Sequence, residues 1–340
     1  VAATLAVCAL LVAWAGAPVG RTYAAIAAGG FGSLFAWSET LTRAVPLILT
    51  GLAAAVAFRA RLYNIGAEGQ LYGGAMAAVF VGSLLVGEGA EGTTALLLPA
   101  WLSLALVLAA AALAGALLLL GPAWLKARLG VDEVVTTLLL NFVILLGVSA
   151  LLDGPMKDPG AMGWPQSVPL PAELELSRPL QGLRLHSGLF IALVLALALA
   201  VLFRFTLLGF RIRASGASAR AAAFAGVPAL GTTLVVAAMS GALAGLAGAI
   251  EVAGRAGYVT LDMSPGYGYS GIVIAMLAAL QPLAVPLAAV FVAGVLVGAD
   301  SMSRVVGVPT YIADVVVATS LIAVLVATLL AQYRVRWRRG

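Results

Sequence analysis

The polar stretch at residues 59–70 stands out because it lies between two apolar runs that are each long enough to cross a bilayer. Asn64, Glu68 and Gln70 bring two amides and a carboxylate into this stretch, and such groups are costly to bury without partners. Gly66 and Gly69 let the backbone bend or approach another segment closely. We therefore expect these five residues to form a signature loop with a dedicated role.

Glu68 can serve this loop in two ways. Its carboxylate can anchor the loop by accepting hydrogen bonds or by pairing with Arg59 or Arg61, which precede it in the same stretch. Alternatively, it can contact a transported solute directly. Under the first interpretation, solute recognition lies elsewhere.

Residues for metal or nucleophilic chemistry are scarce. His186 is the single histidine and Cys8 the single cysteine, so the chain has neither a His–Cys cluster for a transition metal nor a histidine-based triad. Lys126 and Lys157 are the two lysines, and neither is followed by Ser or Thr as a phosphate-binding loop requires. We expect no catalytic residues, no metal site and no ATP site in this chain.

Composition identifies the elements that must position the signature loop. Of 340 residues, 63% are hydrophobic and 10% are charged, and the mean hydropathy is +1.10. This is more apolar side chain than one soluble core can hide, and a membrane span needs about twenty mostly apolar residues. The sequence therefore predicts an all-α, polytopic membrane protein with about ten transmembrane helices, forming a single transmembrane domain over residues 1–340.

The expected spans follow one another with short connections. Residues 24–37 are interrupted by glycines and are predicted to form a short interfacial helix instead of a span. The eighth and ninth spans meet at residues 281–282, where we favour a helical hairpin over one long run. Gly241, Gly245 and Gly248 in the seventh span have the spacing of close helix packing. The ten spans are residues 3–19, 40–58, 71–86, 94–120, 134–152, 187–205, 232–250, 269–280, 283–297 and 312–330.

The distribution of charge predicts the orientation. If the N-terminus is cytoplasmic, the inner loops and the tail hold twelve of the nineteen Lys and Arg residues, while most acids fall in outer loops. Both termini are then cytoplasmic, in a bacterial cytoplasmic (inner) membrane with lipid as a partner. The basic residues do not gather on a soluble face with interleaved aromatics, so no nucleic-acid partner is expected.

Two long loops have distinct patterns. The outer loop at residues 153–186 contains six prolines, which keep a loop extended, so it can receive a partner protein or simply cap the external opening. In the inner loop at residues 206–230, Ser218 is placed to cap a short Ala-rich helix over residues 219–225, which Gly226 and Pro228 end. A helix this short is unstable alone in water. It must dock on a cytoplasmic partner or rest on its own membrane domain as a surface connector.

Four pieces of the chain together resemble a known family. They are residues 64–70 (Asn-Ile-Gly-Ala-Glu-Gly-Gln), 132–141, 213–226 and 266–280. The sequence is similar to the permease subunits of ABC importers that handle branched-chain amino acids, simple sugars and nucleosides. The resemblance spans nearly the whole chain in the right order, although each piece alone is a weak signal.

The resemblance implies a type II-like ABC importer permease with several partners. These are a second permease, expected to be a different but related chain, a cytoplasmic ATPase that binds ATP and Mg²⁺, and an extracytoplasmic substrate-binding protein. This chain itself would carry no cofactor. The version of the signature loop found here is most similar to the larger permease of nucleoside importers, with ribose-type sugar permeases as the alternative. Contact with the ATPase would fall on Arg213, Ser215, Gly216, Ser218, Arg220, Ala221, Ala222 and Gly226.

Four residues are candidates for the substrate pathway. Thr137 and Asn141 are four apart on the fifth span and share a helix face, where they can line a cavity or join helices. Tyr267 and Tyr269 lie in a glycine- and tyrosine-rich outer stretch. They can be boundary residues of the membrane or can stack on a base or sugar that enters the pore.

A secondary transporter is the main alternative class. Such a protein needs its own coupling-ion site, typically built from acids or broken helices at mid-membrane depth. The central regions of the predicted spans have almost no carboxylates, and Asp314 near the start of the last span is interpreted as a shallow interfacial charge. Uptake that survives without ATP would favour the secondary transporter.

Overall fold

The structure is a computed structural model that describes residues 18–88, 94–180 and 182–307, together with isolated positions between 9 and 16 and between 315 and 330. Several expectations fall outside the described residues. These are Cys8, most of the first predicted span, Asp314 and the C-terminal arginines. Only isolated positions of the last predicted span are described.

Helices form most of the described part of the chain. In order they are α1 (Val19–Phe31), α2 (Leu34–Arg59), α3 (Ala67–Leu84), α4 (Ala100–Leu129), α5 (Glu133–Asp153), α6 (Gly188–Phe205), α7 (Leu207–Ala217), α8 (Ala219–Phe224), α9 (Ala229–Glu251), α10 (Tyr267–Leu277) and α11 (Val285–Val306). A π-helical turn, Val252–Ala256, extends α9, and a 3₁₀ turn, Ala172–Leu174, lies in the loop before α6. Two short antiparallel strands, β1 (Val86–Glu88) and β2 (Thr94–Leu96), follow α3.

Six of the described helices are long and apolar enough to cross a membrane. They are α2, α4, α5, α6, α9 with its π turn, and α11. The structure thus agrees with a multi-pass membrane protein, whereas the expected ten spans are not confirmed. The predicted eighth span corresponds to α10, whose eleven residues rise about 16 Å, roughly half of the hydrocarbon thickness.

The region predicted as an interfacial helix at residues 24–37 is different in the structure. α1 continues through Gly29 and Gly30. These glycines let α1 pack closely on α11, since a Cβ on Gly30 would lie 2.4 Å from the carbonyl oxygen of Gly294. The chain breaks after Phe31, and the Ser33 hydroxyl accepts a hydrogen bond of 3.1 Å from the Ala36 amide. α2 therefore begins at Leu34, six residues before the predicted second span.

The start of the predicted fourth span is also wrong. Residues 94–96 pair with β1 as a strand, and the helix starts only at Ala100 after Pro99. The expectation of a purely helical fold therefore needs this small hairpin added. α4 then runs to Leu129 and ends at Gly130, whose φ of +68° suits a glycine.

The hairpin expected around residues 281–282 is confirmed as two separate helices, α10 and α11. The turn between them includes Ala279 and Leu280 at positive φ, 48° and 58°. Residues other than glycine rarely adopt this backbone conformation. The tight connection is therefore held by its surroundings and not by local preference.

α9 lies at the centre of the fold. A Cβ on Gly245 would lie 2.1 Å from the Ala111 carbonyl oxygen of α4, and one on Gly248 would lie 1.9 Å from the Leu71 carbonyl oxygen of α3. The close packing predicted from the glycine spacing is confirmed, because only glycine fits where these backbones meet. α2, whose middle is almost wholly buried, packs on the same core.

Candidate functional site

Asn64 joins the signature loop to the core. It is 1% exposed, and its Oδ1 accepts hydrogen bonds from the Gly66 amide and from Gln70 Nε2, both 2.9 Å long. Its Nδ2 donates to Gln70 Oε1 at 2.9 Å and to Ser240 Oγ at 3.1 Å. The Ser240 hydroxyl in turn donates to the Ala53 carbonyl oxygen at 2.8 Å. The loop is therefore fastened to α9 and α2 by a fully paired amide.

Thr137 and Asn141 of α5 hold the other side of the loop. The Ile65 amide donates to Thr137 Oγ1 at 3.2 Å, and the Gly69 amide donates to Asn141 Oδ1 at 2.8 Å. Asn141 Nδ2 donates to the Ile65 carbonyl oxygen at 2.9 Å and to the Tyr269 hydroxyl at 3.1 Å. Both side chains are buried. Their contacts here join helices, and a role in lining the pathway stays a prediction.

Glu68 connects α3 to α10. Its Oε2 accepts a hydrogen bond of 2.6 Å from the Gly268 amide, and the side chain is 4% exposed. Among the described residues, no ion pair joins it to Arg59 or Arg61. Of the two anchoring contacts expected, the hydrogen bond is present, and its donor is backbone 200 positions along the chain.

The two tyrosines predicted to lie in the substrate pathway differ in exposure. Tyr267 is 1% exposed; its hydroxyl lies 3.3 Å from an Arg255 nitrogen, and its carbonyl oxygen accepts from Thr50 Oγ1 at 2.9 Å. Tyr269 is 39% exposed, so only its ring has a free surface. Stacking on cargo stays a prediction for both, and in this conformation Tyr269 is the one that can do it.

The predicted coupling segment has the expected local structure. The Ser218 hydroxyl accepts from the Ala221 amide at 3.3 Å and caps α8, which ends at Phe224, one residue before the predicted end. Gly226 follows with φ of +79°. Ala222 is buried, whereas Phe224 is 97% exposed. α8 therefore rests on its own domain through one side and presents an apolar ring on the other.

α7 packs the coupling segment against the end of α2. A Cβ on Gly216 would lie 1.9 Å from the Arg59 carbonyl oxygen, so the two backbones touch there. Ser215 and Ala222 line a small cavity with Lys126 of α4. Arg213 lines a second one, near the turn between α10 and α11. Arg220 and Ala221 lie on the exposed side of α8.

Comparison with known proteins now decides the family. The family described as branched-chain amino acid transport system / permease component matches residues 36–325, which is most of the chain. The chain belongs to this permease family. The permease is therefore one component of an ABC transporter, a class that in general works with ATPases and binding proteins.

Three curated relatives resemble the permease over most of their lengths. The glucose ABC transporter permease of Haloferax volcanii is 36% identical over 89% of this chain and 79% of its own. The guanosine ABC transporter permease of Bacillus subtilis is 34% identical over 99% and 92%. The nucleoside ABC transporter permease of Lactococcus lactis is 28% identical over 84% and 78%. No solved structure gave a significant match.

The permease also contains a set of charged residues that the sequence reasoning missed. Arg255 of the π turn pairs with Glu251 at 2.7 Å, and Glu251 is 1% exposed. Arg43 of α2 pairs with Asp300 of α11 at 2.6 Å. Two sequence signals could have found them: the i,i+4 spacing of Glu251 and Arg255, and an arginine inside an apolar run. Glu251 lies one residue beyond the predicted seventh span and is the last residue of α9, so it does not contradict the expectation of almost no carboxylates in the central regions of the spans.

A cavity of about 670 Å³ between α1, α2 and α11, which we call the charged cavity, is bordered by three of these residues, Arg43, Arg255 and Asp300. Its charged lining residues are Glu39, Arg43, Arg184, Arg255, Asp300 and Arg304. Arg184 comes from the loop before α6 and lies 3.2 Å from Glu39. The charged cavity thus lies at the end of the permease where this long loop packs.

The long loop of the permease is strapped onto the segment after α9. The amides of Ser167, Leu170 and Leu176 donate to carbonyl oxygens of Val259, Gly257 and Ala253 at 3.0, 2.7 and 2.8 Å. Leu170, Leu174 and Leu176 are buried. Whether the loop also receives a partner protein stays a prediction.

His186 closes the same loop beside the π turn. It is 1% exposed, and its Nδ1 accepts a hydrogen bond of 3.2 Å from the Gly188 amide. Burial, and then the nearby Arg178 and Arg255, lower the pKa of His186 to about 4. The imidazole is therefore neutral at physiological pH.

Proposed function

We propose that this permease forms part of an ATP-driven importer for nucleosides. The observation that carries the choice of cargo is the guanosine permease, which is 34% identical over 99% of this chain and 92% of its own. The nucleoside permease of Lactococcus lactis supports the same choice at 28% identity. ATP and Mg²⁺ would bind to a separate cytoplasmic ATPase, and a binding protein outside the membrane would deliver the cargo.

Transport of a simple sugar is the second candidate. It is favoured by the glucose permease of Haloferax volcanii, whose 36% identity is slightly higher although its alignment covers less of both chains. Ribose-type sugars are the alternative that the signature loop suggests. Both cargos share a ring with adjacent hydroxyl groups.

The protein would lie in a bacterial inner membrane with both termini in the cytoplasm. Its proposed contact with the ATPase is α8. Phe224 and Arg220 offer an exposed ring and a charge, and the Ser218 cap fixes the start of the helix. Gly216 of α7 touches the Arg59 carbonyl at the end of α2. Movement of the ATPase would therefore act first on α2, which contacts α10 through Thr50 and Tyr267.

The test is uptake by the complete complex. The permease, purified with its partner permease, ATPase and binding protein, is placed in lipid vesicles and supplied with guanosine, uridine, glucose or ribose. We expect ATP-dependent uptake of the nucleosides and matching nucleoside binding by the isolated binding protein. Exclusive sugar binding would replace the proposal by its alternative, and uptake without ATP would indicate a secondary transporter.

A further inference from the structure

The charged cavity has the size and walls of a site for a small solute. Pockets for such ligands span roughly 300–1,000 Å³, and this one measures about 670 Å³. Its walls combine side chains from four separate parts of the chain: α1, α2, α11 and the loop before α6, with Arg255 of the π turn as a further contribution.

The charges in the walls largely cancel. Arg43 NH1 lies 2.6 Å from Asp300 Oδ2, and Arg184 Nε lies 3.2 Å from Glu39 Oε1. Arg304, the remaining cation of the lining, forms no ion pair with the described residues, so the walls keep about one net positive charge. A single charge of this kind does not exclude a neutral solute that offers oxygen acceptors.

Arg255 is also paired with a carboxylate, since it lies 2.7 Å from the buried side chain of Glu251. It also connects the cavity to the signature loop. Arg255 donates to the Tyr267 hydroxyl. Gly268, which follows Tyr267 in the chain, donates its backbone amide to the Glu68 carboxylate. The charged cavity thus borders the polar network that holds α10 in place.

The walls retain unused hydrogen-bonding capacity. A guanidinium has five N–H donors, and each ion pair described above joins one guanidinium nitrogen to one carboxylate oxygen. Glu39 is paired with Arg184 at 3.2 Å and its side chain is 17% exposed, so part of this carboxyl side chain faces the cavity. Phe35, 54% exposed, adds an aromatic face to the lining.

Donors and acceptors of both kinds, side by side, match adjacent hydroxyl groups. Each hydroxyl can donate to a carboxylate oxygen and accept from a guanidinium N–H, while an aromatic face covers the ring. We propose that the charged cavity binds the sugar ring of the cargo, a neutral solute with adjacent hydroxyls, on its way into the permease. This inference rests on the proposed transport function and adds to it the place of contact and the chemical group recognised.

The test is solute protection of a cysteine in the cavity. Ser301 lines the charged cavity, and Ser301→Cys is made in a chain whose single native cysteine is replaced, Cys8→Ser. The complete complex in lipid vesicles is treated with a membrane-impermeant thiol reagent, with and without guanosine or glucose. We expect the transported solute, guanosine under the main proposal or glucose under its alternative, to slow modification of the cysteine about tenfold at saturation. This corresponds to roughly 1.4 kcal/mol.

Two matched controls make the result specific. Dideoxyguanosine keeps the base but lacks adjacent hydroxyls, so it should not protect Ser301→Cys. Ser83→Cys, an exposed position outside the charged cavity, should react equally with and without solute. Ala28→Cys, also in the cavity lining, repeats the test if Ser301→Cys does not fold.

Asp300→Asn provides an independent measurement, since it keeps the shape of the side chain and removes its charge. We expect the guanosine concentration for half protection to rise about tenfold. Equal modification rates with and without solute, equal protection by dideoxyguanosine, or cavity cysteines that do not react at all would each overturn the assignment. ATP-dependent uptake measured in the same vesicles tests the transport function separately: uptake without protection rejects the cavity alone, and loss of all uptake rejects the function.

Discussion

At the scale of single residues, the buried polar groups of the signature loop have hydrogen-bond partners. Asn64 uses both ends of its amide, and Gln70 returns two of those bonds. Glu68 accepts from a backbone amide in place of a cation. A buried group that loses such a partner costs about 1–3 kcal/mol. The signature loop is therefore best understood as a joint that fixes helices relative to one another.

Asn64→Ala should lower the stability of the protein by roughly 1–3 kcal/mol, because it leaves Gln70 and the Gly66 amide without partners. The measurement is the midpoint of thermal unfolding in detergent. Ser83→Ala, at an exposed position, is the control and should leave the midpoint unchanged. An unchanged midpoint for Asn64→Ala would show that the amide pair does not stabilise the loop.

His186 predicts a pH dependence. Its folded pKa of about 4 lies below the ordinary value of 6.5, so the unfolded chain binds the extra proton first. Stability from this residue is complete above pH 6.5 and falls as the pH drops toward 4, by about 1–3 kcal/mol in total. Unfolding midpoints at pH 7 and 5 measure the change. The same loss in His186→Gln would assign it to other groups.

The residue scale also shows how far the sequence could lead. Burial of Asn64, Glu68 and Gln70 could be predicted, since polar groups among apolar spans need partners. Their partners could not be, because Ser240 and Gly268 lie 176 and 200 positions away from the residues they contact. Only the tertiary fold brings these segments together.

At the scale of elements, glycine positions set how closely helices approach. Gly245 of α9 packs on the Ala111 carbonyl oxygen of α4, and Gly241 packs on that of Gly115. This spacing was readable from the sequence. The first residues of α2 and α4 could not be predicted in this way. A serine cap and a strand pairing move these two helix starts by about six residues from the edges of the apolar runs.

Gly245→Ala and Gly121→Ala test this packing with one chemical change in two environments. An added Cβ would lie 2.1 Å from backbone at Gly245 and meets nothing within 4 Å at Gly121. We expect Gly245→Ala to destabilise the protein by about 1–3 kcal/mol and Gly121→Ala to leave it unchanged or slightly more stable. Thermal unfolding of both variants measures the difference, and equal midpoints would contradict close α4–α9 packing.

α8 allows a test of the proposed ATPase contact. Phe224 is 97% exposed, so Phe224→Ala should not alter unfolding of the isolated permease. In the assembled complex, we expect it to reduce ATP hydrolysis stimulated by the loaded binding protein about tenfold, if the ring fills a pocket of the ATPase. Phe190→Ala, at a 71% exposed ring on α6, serves as the control. Normal stimulation in Phe224→Ala would place the contact elsewhere.

At the scale of the whole molecule, the two ends of the helix bundle have different structural features. One end has α7, α8 and the basic residues around Arg59, and the other has the strand hairpin, the long loop and the charged cavity. The family match covers residues 36–325, and so includes both ends. The multi-pass class could be predicted from composition alone. The charged cavity could not, since its walls come from distant parts of the chain.

The expected orientation can be checked with two cysteines in the Cys8→Ser chain. Ala221→Cys on α8 and Ser83→Cys near the strand hairpin are both exposed. In intact cells, a membrane-impermeant thiol reagent should label Ser83→Cys and leave Ala221→Cys unlabelled until the membrane is opened. The reverse pattern would place the coupling segment outside the cell and reject the importer proposal.

The short helix α10 has a further consequence for motion. Its first amides are satisfied by Ser264 Oγ at 3.0 Å and by Glu68 Oε2 at 2.6 Å, with α3 supplying the second. If α10 slid away from α3, that buried amide and carboxylate would lose their partners, at a cost of about 1–3 kcal/mol for each group. α3 and α10 must therefore travel as one rigid body, and any hinge of the transport cycle has to fall at another seam.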